Sequence, residues 1–186
     1  MDTVDMVLLS IKYFGGDVKG KTLLQKRIFF LGEILKKTDL AYFAHYYGPY
    51  SQDVADSIIS CISDGYVQER VIPYGIDPNG FEMCRYEYSL TEKGDNLSNI
   101  LQEHYSEESK RLKDACTNFL ENAEDLDYIT LSYAAKVYFV LKQKGKPLTP
   151  DKIKKTAETF QWKIEEKELQ KGVKALKDLQ LIEIKA

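Results

Sequence analysis

Residues 42–66 read YFAHYYGPYSQDVADSIISCISDGY, and few folds accept that order. An extended aromatic run leads into Gly48-Pro49, where a turn is expected. Ser51 follows, a residue whose hydroxyl can accept from the free amides of a first helical turn. A helix is therefore expected from Ser51 through Ser63, burying Val54, Ala55, Ile58, Ile59 and Ile62. Asp64-Gly65 then turns the chain into a strand.

The flanking segments extend this pattern. Residues 3–14 carry Val4, Val7, Leu8 and Ile11 at i, i+3, i+4 and i+7 and stop at Gly15-Gly16, an amphipathic helix with a glycine stop. Residues 17–20 read as a turn. Residues 21–37, KTLLQKRIFFLGEILKK, are apolar around most of a helical circumference and should form the core of their unit. Residues 66–72 and 85–90 predict two strands around a loop at 74–80. Leu90-Thr91-Glu92-Lys93-Gly94 leaves the second strand for a helix that Thr91 can cap. Helix, helix, helix, hairpin, helix is the order of a winged helix.

Residues 91–127 predict one long, polar linking helix. Its stripe Leu112, Cys116, Phe119, Ala123 and Leu126 steps by four and three, so it either packs on the chain's own units or joins two copies as a homodimer. Residues 128–186 repeat the front plan in reduced form. A helix at 130–142 is followed by one that Thr149 caps with Pro150 at its first position. A third helix at 165–179 leads to a closing strand at 181–184. The fold class expected is mainly α with a small β-hairpin: a winged helix-turn-helix unit at 1–90, the linking helix, and a second winged-helix-like unit.

Charge separates what these units can bind. The formal net charge is -3, yet residues 136–186 hold 13 lysines against 7 acids and residues 91–127 hold 10 acids against 4 basic residues. Any charge-selective surface is therefore local. A DNA-reading winged helix needs lysine or arginine on its third helix to meet phosphates. Residues 51–63 have none and present Asp53 and Asp56. With the crowded Tyr46, Tyr47 and Tyr50, these residues suit a protein partner, because tyrosine buries area and keeps a polar tip. In the back unit Lys167, Lys171 and Lys174 share the helix face opposite Leu169, Val173 and Leu176. Lys163 and Lys155 lie nearby, the pattern of a nucleic-acid-binding face in a DNA-binding, transcription-regulator-like protein.

Chemistry is thinly provided for. His45 and His104 have no Cys or Asp at triad or metal spacing, so the sequence predicts no catalytic residue, no metal and no cofactor. Gly15 to Thr22 meets the phosphate-loop spacing, but a helix, not a buried parallel strand, leads into it. The three cysteines, Cys61, Cys84 and Cys116, are widely spaced and odd in number, which fits reduced thiols and a cytoplasmic location. No apolar run approaches the roughly 20 residues of a membrane span.

The segments LLQKRIFFL, HYYGPYSQDVADSI and DGYVQE resemble the YwgA-like family of bacterial and archaeal proteins. More distantly, the Gly-Pro-Tyr-Ser turn looks like the SocA/Panacea antitoxin-type domain. The resemblance covers about half the chain, mostly before Thr91. It implies a winged-helix-like fold without enzyme activity, and its antitoxin-type side implies a protein partner.

Overall fold

Asp2 opens the first helix by accepting from the Asp5 amide at 2.9 Å. The computed structural model describes residues 1–37, 39–76, 82–123 and 126–183. In chain order the elements are α1 (Thr3–Tyr13), β1 (Asp17–Lys19), α2 (Lys21–Ile34), β2 (Phe43–His45), β3 (Gly48–Tyr50), α3 (Gln52–Ser63), β4 (Val67–Ile76) and β5 (Glu82–Leu90). There follow α4 (Glu92–His104), α5 (Ser106–Ala123), α6 (Tyr128–Lys144), α7 (Pro150–Glu158) and α8 (Glu166–Asp178). The fold is mainly helical with small antiparallel sheets.

The strand order β1-β5-β4 seats the short β1 on the second strand of the β4–β5 hairpin. Apart from the separate β2–β3 hairpin inserted between α2 and α3, the order is helix, strand, helix, helix and hairpin, with the first strand on the hairpin's second, a winged-helix arrangement. Residues 17–20, expected as a turn, thus contain a strand. Asp17, Val18 and Lys19 pair with Ser89, Tyr88 and Glu87, and only Val18 of the three is buried. Three residues with one inward side chain leave too little alternation to read as a strand.

Local capping signals set the helix starts. Ser51 accepts from the Val54 amide at 3.4 Å, and Thr91 accepts from the Gly94 amide at 3.0 Å. Helix α3 buries Val54, Ser57, Ile58 and Cys61. Ile59, expected inside, is exposed. The linking helix expected at 91–127 is two helices. Tyr105 leaves the helical region at φ -109° and ψ 47°, and the bend lets both α4 and α5 lie against α1. The stripe Leu112, Cys116, Phe119 and Ala123 is buried in the chain's own core, with the Phe119 ring 5.8 Å from Phe14 and 6.3 Å from Phe30. That face is not free for a homodimer seam.

One apolar cluster runs from Met6 to Leu179, so residues 1–90 and 128–186 share packing. Helix α6 meets α2 and β3. In the back unit Thr149 caps α7 with its backbone only, Pro150 standing at the helix start. Leu181, Ile182 and Glu183 form no strand, so the closing strand expected at 181–184 is absent over these residues. Residue 184 lies outside the described residues, as does most of the loop expected at 74–80. The part within them, through Ile76, belongs to β4.

Candidate functional site

The site is built around the β2–β3 hairpin. Its register pairs Phe43 with Tyr50, Ala44 with Pro49 and His45 with Gly48. The turn therefore falls at Tyr46-Tyr47, and Gly48-Pro49, expected as the turn, lies in the returning strand. Gly48 sits at φ +100°, a conformation hairpins commonly assign to glycine after a turn. This leaves two tyrosines at the tip, with rings 4.9 Å apart.

Two polar side chains of α2 hold the returning strand from inside. The Gln25 amide nitrogen donates to the Ser51 carbonyl at 2.9 Å, and the Ser51 amide donates to Gln25 Oε1 at 3.1 Å. Lys26, only 2% exposed, donates from Nζ to the Pro49 carbonyl at 2.7 Å. Burial, with the Lys136 ammonium nearby, pulls its pKa down to about 7, because a charged amine loses hydration that one carbonyl does not replace. From the back unit, Trp162 Nε1 donates to the His45 carbonyl at 2.7 Å. The hairpin is thereby pinned on both sides with its tip projecting.

Around the tip, four tyrosines from three separated segments converge. Tyr46 is 76% exposed and Tyr74 65%, while Tyr47 and Tyr128 are nearly half exposed. The Tyr47 and Tyr128 rings are 6.3 Å apart. Partial burial, then the hydroxyls of Tyr128, Tyr46 and Tyr74, raise the Tyr47 phenol above its ordinary value. Tyr74 joins through a backbone irregularity: Pro73 pairs with Cys84 and Gly75 with Met83, leaving Tyr74 as the extra residue of a bulge. Bulges re-aim a side chain in this way.

Tyr47, Tyr74 and Tyr128 line an open groove of about 450 Å3 with Tyr86 and Cys84. Among the described residues the remaining wall includes Lys19, Lys21 and Arg85 and no carboxylate. Lys21 Nζ lies 3.6 Å from the centre of the Tyr86 ring, a cation–π contact. Large amphipathic rings beside cations give this surface the means to bind. Among the described residues no three His, Cys, Asp or Glu side chains gather as a metal set, and His45 and His104 are both exposed.

Of the residues singled out by sequence, Tyr46 and Tyr47 stand at this site, while Tyr50 is partly buried with its ring 5.5 Å from Phe43. Asp53 and Asp56 are exposed on α3 and do not line the groove. Lys155, Lys163, Lys167, Lys171 and Lys174 are all exposed on the back unit, Lys174 in an ion pair with Asp178 at 2.6 Å. Sequence reasoning missed Tyr74, Tyr128, Lys19, Lys21 and Arg85, which come from segments it treated separately. It also missed Gln25 and Lys26, although both stand in the LLQKRIFFL segment whose companion motif they hold.

No protein-family model matches the chain, and a search of curated proteins gives no match. Among the described residues no helix is long and apolar enough to cross a membrane.

Proposed function

We propose that this protein is a non-catalytic binding module and that its partner is another protein, received on the tyrosine-lined groove. The observation that carries the reading is the convergence of Tyr46, Tyr47, Tyr74 and Tyr128 at one exposed place. Exposed tyrosines usually scatter, and a contiguous aromatic patch on a rigid support is the composition of an interface centre. The hairpin's anchoring at Gln25, Lys26 and Trp162 lowers the ordering cost of binding, since little remains to be immobilised. The resemblance to antitoxin-type domains favours the same class of partner. Three free cysteines support a cytoplasmic location.

The test is capture on immobilised wild-type protein and on a Tyr47→Ala/Tyr74→Ala/Tyr128→Ala variant. Captured candidates are then purified and titrated against both. The reading expects a partner whose affinity falls at least about tenfold on the variant. Equal affinity of every candidate for both proteins overturns it.

A second reading is transcription-regulator-like contact with DNA phosphates through the back unit. Its support is the exposure of Lys155, Lys163, Lys167, Lys171 and Lys174. Anisotropy with duplex DNA at two salt concentrations tests it. Equal affinity of wild type and a Lys167→Glu/Lys171→Glu/Lys174→Glu variant removes it.

A further inference from the structure

We infer that what enters the groove is an acidic segment of the partner, its carboxylates at Lys19, Lys21 and Arg85 and its apolar side chains on Tyr47, Tyr74 and Tyr128. This rests on the groove being a protein-binding surface and adds the chemistry of the partner. The argument is a charge count around one carboxylate. Glu87 is buried and already engaged by two guanidinium groups, Arg70 at 2.5 Å and Arg85 at 2.7 Å. Lys19 stands across the strand pair from that same Glu87, yet it has no carboxylate within 4.0 Å among the described residues, and neither does Lys21. Three cations therefore crowd an acid that two of them satisfy, and a fourth, Lys21, stands at the start of α2 beside them.

Glu82 stands at the groove's rim, accepting from Cys84 Sγ at 3.8 Å, and against it Lys19, Lys21 and Arg85 still leave a local positive surplus in a chain whose net charge is -3. An anionic partner is drawn to such a patch, and a cationic one is repelled. A peptide fits better than a nucleic acid. A long polyanion gains affinity by neutralising many phosphates along its track, whereas this groove offers three cations and α3 presents Asp53 and Asp56. Tyrosine beside lysine also suits mixed acidic and apolar side chains, which take a ring face and an ammonium in alternation.

The experiment is selection of random peptides of about 12 residues on immobilised wild-type protein. Selected peptides are titrated against wild type, a Lys19→Glu/Lys21→Glu variant and the triple tyrosine-to-alanine variant. A mixed-sequence single-stranded DNA is titrated in parallel. The altered side chains are exposed or line the open groove, and thermal unfolding of each variant confirms that the fold is kept. The inference expects peptides rich in Asp and Glu that bind about tenfold more weakly to the lysine variant and weaken as salt is raised. Peptides that need the tyrosines but show no acid excess and bind the lysine variant equally overturn the inference and leave the protein-binding reading standing. No selected peptide, or peptides indifferent to the tyrosines, overturn both. Tighter binding of the single-stranded DNA, lost on both variants, reassigns the groove to nucleic acid.

Discussion

The indole N–H of Trp162 reaches back 117 positions to donate to the carbonyl of His45 at 2.7 Å. His45 is the last residue of β2, one step before the tyrosine tip, and Trp162 lies between α7 and α8. Its ring packs 5.1 Å from Phe160 and 5.7 Å from Phe139. A single donor thus fastens the β2–β3 hairpin of the front unit to the apolar centre of the back unit, and no short-range signal in the sequence announces it.

Trp162→Phe should lower stability by at least about 1 kcal/mol, because the His45 carbonyl loses a partly buried donor and the smaller phenyl ring leaves part of the buried indole's space unfilled. Urea denaturation followed by far-ultraviolet circular dichroism measures this. An unchanged midpoint would mean that water replaces the indole without loss and that the contact does not hold the hairpin.

Lys26 predicts a pH dependence with a definite sign. In the unfolded chain a lysine titrates near about 10.4, and in the fold burial brings Lys26 to about 7. Between these values the unfolded chain binds the extra proton, so the stability contributed by this site rises with pH. Lys136, whose own value is lowered by burial, acts in the same direction. Lys26→Met removes the titration at one site and keeps the stem. Wild type should gain on the variant by about 2 kcal/mol between about pH 7 and about pH 9. A difference that does not move with pH would show that Lys26 keeps its hydration.

Gly48→Ala should loosen the hairpin. The residue sits at φ +100°, and an added Cβ would meet Lys136 Cγ at 3.2 Å and the Ser132 carbonyl oxygen at 3.2 Å. The left-handed backbone alone costs about 1 to 2 kcal/mol for a residue with a side chain, and α6 limits relief by movement. The chain has one tryptophan, and it is bonded to this hairpin, so its emission reports the change. A red shift and stronger acrylamide quenching are expected. An unaltered spectrum and midpoint would argue against the close approach of β3 and α6.

What could be read beforehand follows the range of the forces involved. Ser51 and Thr91 were legible because a cap is decided within four residues. The α2 core was legible because its apolar residues cover most of a helix. Lys26 was not, since a lysine in such a pattern normally marks the solvent side, and only the arrival of the Pro49 carbonyl gives its ammonium a place indoors. Ile59 failed in the other direction: its apolar side chain fits the predicted stripe, yet it stands 58% exposed on α3. At the groove, the adjacent Tyr46 and Tyr47 could be recognised as a candidate surface. Tyr74 depends on a bulge in β4 and Tyr128 on the packing of α6 beside α2, and neither is encoded near the tip.

Thiol labelling tests the core and the groove together. Cys61 and Cys116 are buried, and burial pushes both thiols up to about 12, which leaves almost no reactive thiolate at neutral pH. Cys84 is partly exposed and lines the groove. Partial desolvation and the Glu82 carboxylate raise its pKa, so it should react more slowly than a free thiol and faster as pH rises. A disulfide-exchange reagent is expected to label one cysteine in the native protein and all three in denaturant. Three fast thiols in the native protein would contradict the packing around Cys61 and Cys116. A bulky adduct on Cys84 occupies the space beside Tyr86, so it should block the acidic peptides selected on wild type while leaving the unfolding midpoint in place, and Cys84→Ser should remove the blockade. Undiminished peptide binding by the labelled protein would locate the interface away from this groove.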